Sequence, residues 1–143
     1  MNKKELKEIL AQHQLWLDSD GELGTSLDVL GDDFRGADLT GVDLRGATLT
    51  RASLFEADLN GATLTGADLF EANLRRANLN EANLRGADLR WAYLIRTNLR
   101  GADLRGANLR GANLWKVNLR GACLLYTSPS PRDVEESRMP SSA

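Results

Sequence analysis

One histidine, His13, and one cysteine, Cys123, are all that this 143-residue chain offers of the side chains that most readily ligate metals or attack electrophiles. A lone cysteine forms no internal disulfide and no cysteine-based metal cluster. His13 lies in "ELKEILAQHQLWL" on the apolar side of a helical pattern, with no second ligand or nucleophile within sequence reach. A packed or half-exposed imidazole is its expected role. Asp68 and Asp88 stand twenty residues apart, and paired carboxylates do acid and base work when one of them holds a proton. Glycine-rich runs such as "GADLRGANLRG" lack the strand, the helix start and the spacing of a phosphate loop. No catalytic residue, cofactor site or metal site is assigned, and the chain is expected not to be an enzyme.

The element that positions most of these side chains is a repeat. From Phe34 the chain reads "FRGADLTGVDLRGATLTRASLFEADLNGATLTGADLFEANLRRANLNEANLRGADLRWAYLIRTNLRGADLRGANLRGANLWKVNLRGA", a fixed short period that signals a solenoid or array. Its predicted core is Phe34, Leu39, Leu44, Leu49, Leu54, Leu59, Leu64, Leu69, Leu74, Leu79, Leu84, Leu89, Leu94, Leu99, Leu104, Leu109, Leu114 and Leu119, one residue in every five. Alanine stands two residues before each leucine except at Val42, Thr97 and Val117, and the residue between is usually Asp, Asn, Ser or Thr.

A period of five fits neither regular element. Around a helix of about 3.6 residues per turn the leucines smear over every face, and along a strand they alternate between faces. They share one interior only if each five-residue unit forms one side of a coil and turns a corner before the next. Glycines at Gly36, Gly41, Gly46, Gly61 and Gly66 suit such corners. Leu79→Asp is then expected to unfold the rod, and Thr97 needs a neighbouring carbonyl for its buried hydroxyl.

The unit, close to A(D/N)LXX, resembles the pentapeptide repeat family over about 90 residues of the chain. That resemblance implies an all-β solenoid, a right-handed quadrilateral β-helix with four units per turn. Eighteen units from Phe34 to Leu119 would make about four and a half coils, rising roughly 4.8 Å per coil. Asp68 and Asp88 would then be neighbours on a convex rod without a pocket, making hydrogen bonds along a ladder.

Residues 1–17 predict an amphipathic helix with Leu6, Ile9, Leu10, His13, Trp16 and Leu17 on one side, Asn2 as N-cap and Glu5 completing a capping box. The segment also resembles leader helices that precede bacterial pentapeptide repeats. A structural cap for the open end of the solenoid is favoured over a partner-docking helix. Residues 18–33 read as a connecting loop from which Leu27, Val29 and Leu30 pack beneath the first coil.

The surface carries the functional reading. With four units per coil, Arg35, Phe55, Arg75, Ile95 and Trp115 stack on one wall, Tyr93 lies beside Ile95, and Trp91 sits at the corner leading in. Arg76, Arg96 and Lys116 run alongside, and an adjacent wall carries Phe70, Arg90 and Arg110. Exposed aromatics flanked by cations have the composition of protein interfaces. Phe55, Phe70, Trp91, Tyr93, Ile95, Arg96, Trp115 and Lys116 are therefore the candidate partner-binding residues, on a non-catalytic scaffold. The bland reading is that arginines simply cover aromatics on neighbouring coils.

A protein partner is expected ahead of nucleic acid, because Arg75, Arg85, Arg90, Arg100, Arg105, Arg110 and Arg120 spread over all four walls. Some members of the resembled family are acidic DNA mimics that act on DNA gyrase. Residues 34–122, with thirteen Lys or Arg against nine Asp or Glu, have the wrong sign for that role. Overall net charge is −2, and residues 1–33 concentrate acid, with eight carboxylates against three lysines. No run approaches about 18 apolar residues, so no membrane is expected and the cytoplasm is the expected compartment.

After Ala122 the period gives way to "CLLYTSPSPRDVEESRMPSSA", which resembles the translation of a transposase-type sequencing adapter. Residues 123–143 are accordingly read as a non-native, disordered tail, although "ACL" continues the register by one unit. On that reading the native chain is expected to extend past Ala122, with further coils, a cap or a dimerisation surface missing here.

Overall fold

The computed structural model describes residues 1–124. The tail reading from residue 125 onward lies outside the described residues. The one α-helix among the described residues, α1, spans Lys3–Asp18. Its start follows from two side chains: Asn2 Oδ1 accepts the Glu5 N–H at 2.8 Å, and the Glu5 carboxylate accepts the Asn2 N–H at 3.2 Å. This capping box satisfies two of the donors that a helix leaves open and stabilises it by about 1 kcal/mol.

Beyond α1 the chain doubles back. Gly24 has φ +71°, and a Cβ placed there would collide with the Gln12 carbonyl oxygen, so only glycine allows this approach. The Thr25 N–H then donates to that same carbonyl at 3.2 Å. The return places Leu27 against α1, where its N–H donates to His13 Nδ1 at 2.9 Å.

From Asp28 the backbone forms parallel bridges between residues twenty apart, beginning with Asp28↔Thr48 and reaching Asp103↔Cys123. Four five-residue units therefore complete one turn of a β-helix. The ladder begins one unit or more before Phe34, inside the segment read as a loop. Leu27 and Val29 are buried and take the alanine and leucine positions of an earlier unit. Leu30, expected to pack, is 68% exposed, because the residue after the core position points outward. At the other end, Cys123 pairs with Asp103, so the ladder includes the first residue assigned to the tail; "ACL" preserves the A-x-L register.

Each unit repeats four backbone bonds, one of them from the corner residue to the next coil, as the Gly61 N–H donates to Asn80 O at 2.9 Å. The Leu59 N–H donates to Asn78 O of the next coil at 2.7 Å, the Asn78 N–H donates back to Ala57 O at 2.9 Å, and the Ala62 N–H closes the corner on Leu59 O at 3.0 Å. The third residue of every corner has positive φ, the requirement of a type II turn. Glycine meets it without strain, but Arg51, Glu56, Glu71, Arg76, Glu81, Trp91, Arg96 and Lys116 also adopt φ of 54–60°. Each of these costs about 1 kcal/mol relative to glycine.

Inside, every leucine from Leu44 to Leu99 is fully buried against the alanine columns, each contributing about 1.5–3 kcal/mol. Phe34, Leu39 and Leu104 are also buried. Leu109, Leu114 and Leu119 are only partly buried, because a leucine is covered by the coil twenty residues later and the described residues end at 124. Thr97 is completely buried, and its hydroxyl donates to Leu74 O at 2.6 Å.

α1 covers the lower end. His13 is fully buried and stacks on Trp16 with ring centroids 5.7 Å apart, while Leu6, Ile9 and Leu10 pack against the core. Because Nδ1 accepts from Leu27, the ring proton sits on Nε2. Nε2 is buried without a hydrogen-bond partner among the described residues. Burial lowers the His13 pKa; the nearby Arg45 backbone and the Asp43 carboxylate act in the opposite sense.

Candidate functional site

Where the residue before a leucine is Asp or Asn, its side chain holds the outward position after that leucine. Asn113 Oδ1 accepts the Trp115 N–H at 3.1 Å, Asn73 Oδ1 accepts the Arg75 N–H at 3.1 Å, and Asp68 Oδ1 accepts the Phe70 N–H at 2.9 Å. These short-range bonds explain the preference for Asp and Asn at that position. They also fix the backbone from which the wall side chains project.

Most acids that precede an arginine by two residues are occupied by it. Arg35 grips Asp33, Arg45 grips Asp43, Arg90 grips Asp88 and Arg105 grips Asp103, with closest contacts of 2.7–2.8 Å. Arg51 pairs with Glu71 on the next coil. Arg35 holds the exposed Asp33 carboxyl down to about 2. Asp88 is likewise held below the usual carboxylate range by Arg90. Asp68 and Asp88 are bridge partners on adjacent coils, but a proton-sharing pair needs one carboxyl raised, and Asp88 is shifted the other way. Among the described residues no group of His, Cys, Asp and Glu is arranged to hold a metal ion, and no helix is long and apolar enough to cross a membrane.

The eight candidate residues divide into two sets. Phe55 is half-buried under Arg75, whose guanidinium carbon lies 5.5 Å from the ring centroid, and Phe70 is half-buried under Arg90 at 5.3 Å. Both aromatics are covered by the coil above, as the bland reading holds. The other six come together on two successive coils. Trp91, Tyr93 and Trp115 are 55%, 49% and 57% exposed, and Ile95 is half-buried between them in the sequence of the wall. Lys116 Nζ lies 4.7 Å and the Arg96 guanidinium carbon 5.7 Å from the Trp115 ring.

Trp91 has a seat that sequence reasoning missed. Its indole lies over the corner glycine of the next coil, so close that a Cβ on Gly111 would stand 2.5 Å from its Cδ2. Gly111 is needed for that overhang as well as for its φ of +74°. The twenty-residue offset between the two was the available signal.

The sequence profile of the pentapeptide repeats matches in eight copies across residues 33–69, 67–90 and 87–124. The chain belongs to the pentapeptide repeat family, and its solenoid is a right-handed β-helix. Among solved structures it is similar to a pentapeptide repeat protein from the thylakoid lumen of Arabidopsis thaliana, 34% identical over 79% of this chain and 74% of that one, with a TM-score of 0.54. It is also similar to Rfr23, a pentapeptide repeat protein of the cyanobacterium Cyanothece 51142, 28% identical over 84% of this chain and 95% of that one, TM-score 0.49. A more distant likeness is to QnrB1, a plasmid-mediated fluoroquinolone resistance protein, 20% identical over 70% of this chain and 68% of that one, TM-score 0.38. No curated protein sequence matches.

Proposed function

We propose that this chain is a non-catalytic, cytoplasmic scaffold of about four and a half coils that binds a protein partner through Trp91, Tyr93, Ile95, Arg96, Trp115 and Lys116. The observation that supports it is the half-exposure of two large aromatics, Trp91 and Tyr93, which the next described coil leaves open, with Trp115 beside them on the last described coil. Elsewhere on the walls, Phe55 and Phe70 lie under arginines. Large, rigid rings left half in water beside cations are the side chains that dominate binding energy in protein interfaces.

Gyrase modulation by DNA mimicry is disfavoured by the excess of cations on residues 34–122, and general polyanion binding by the spread of the candidate arginines over all four walls, with Arg90 and Arg105 already paired with acids. Affinity capture with the wild type and with Trp91→Ala/Trp115→Ala tests the proposal. At least one partner is expected to be lost with the double variant; identical partner sets would overturn it.

A further inference from the structure

The corner that borders the aromatic wall is occupied, on three successive coils, by Arg76, Arg96 and Lys116. Their φ values are +57°, +59° and +54°, a conformation in which glycine is the unstrained choice. The neighbouring corner takes that choice at Gly41, Gly61, Gly101 and Gly121, with Glu81 at φ +59° as its one exception. A long cation has thus been kept three times in a column where the backbone favours no side chain. Ion pairing among the described residues does not account for it, since none of the three makes a salt bridge there and Glu56 beneath Arg76 makes none either; Arg96 and Lys116 rest instead on the Trp115 ring. Stacked at the strand spacing of about 4.8 Å, the three charges repel one another.

Resting on the proposed protein-binding function, we infer that the partner presents an acidic amphipathic helix to this corner. Three carboxylates at i, i+3 or i+4, and i+7 lie on one face of a helix and span about 10.5 Å. The cation column spans about 9.6 Å. An extended segment presents same-side residues about 6.8 Å apart and runs out of step with the column by the third. Apolar residues beside the acidic row would pack on Trp115 and Ile95, the helix-in-groove pattern of recognition.

The probe is a synthetic helical peptide with one row of three glutamates flanked by leucines, titrated calorimetrically into the full chain. A peptide of the same composition with the glutamates dispersed around the helix, a lysine-row peptide and a mixed-sequence single-stranded oligonucleotide serve as comparisons. The glutamate-row peptide is expected to bind at least tenfold tighter than each of them. Arg96→Gly/Lys116→Gly should weaken it at least tenfold without lowering the thermal midpoint, because glycine suits both corners. Absence of binding, equal binding of the dispersed peptide, tighter binding of the oligonucleotide, or full binding by the glycine variant would overturn the inference. If the peptide fails while Trp91→Ala/Trp115→Ala still loses its captured partner, the acidic helix is wrong and the aromatic interface stands.

Discussion

Thr97 shows how one atom is accommodated inside a wall built for alanine. Its hydroxyl reaches Leu74 O at 2.6 Å, a carbonyl that also accepts the Ala77 N–H at 3.0 Å. Thr97→Val keeps the shape and deletes the donor without orphaning the carbonyl, so chemical denaturation should show a loss of about 0.5–1 kcal/mol. His13 is the second buried polar residue of the core, and its behaviour depends on pH. Its folded-state pKa lies below the ordinary 6.5 because burial disfavours the cation, and a protonated Nδ1 can no longer accept from Leu27. The unfolded chain then binds more protons than the folded one, so stability falls as pH drops through about 6.5 and levels off below the folded value. Thermal midpoints between pH 7.5 and 5.5 should decline for the wild type, and His13→Gln should flatten that decline.

At the scale of the element, the corner decides more than the straight side. Among the described residues Glu56 has no hydrogen-bond partner for its exposed side chain, and it sits at φ +57°. Glu56→Gly relieves that conformation while adding freedom to the unfolded chain, for a net gain of about 0.5 kcal/mol, readable as a higher thermal midpoint. The period of five made the walls and their interior legible from sequence, since leucine and alanine recur wherever a side chain must face the axis. The capping box of α1 was equally legible, because Asn2 and Glu5 act within one turn. The first unit was not: Leu27-Asp28-Val29 satisfies the chemistry of A-x-L with different letters. The return through Gly24 was hidden for another reason, because it depends on contact with Gln12 on a different element. The site was half legible. Stacking by twenty brought the right residues together, but which aromatics remain open depends on whether an arginine stands directly above, as Arg75 does over Phe55, whereas Asn113 stands above Tyr93.

Across the whole molecule, each coil touches only the coils above and below, so binding surface is assembled by vertical alignment between residues twenty apart. That alignment is a phase, and phase can be changed without touching the core. One extra unit, "ANLRG", inserted after Gly106 would supply another alanine, leucine and glycine corner, and the thermal midpoint should stay within a few degrees. It would also carry Trp115 and Lys116 a quarter-turn around the rod, away from Trp91, Tyr93 and Arg96. Partner capture should then fail in a protein that still folds, whereas insertion of four units at the same place should keep each residue on its own wall. A chain of this kind grows one unit at a time but recovers its outward alignment only at every fourth unit, so two such rods can share nearly every residue and still present different sides to the cell.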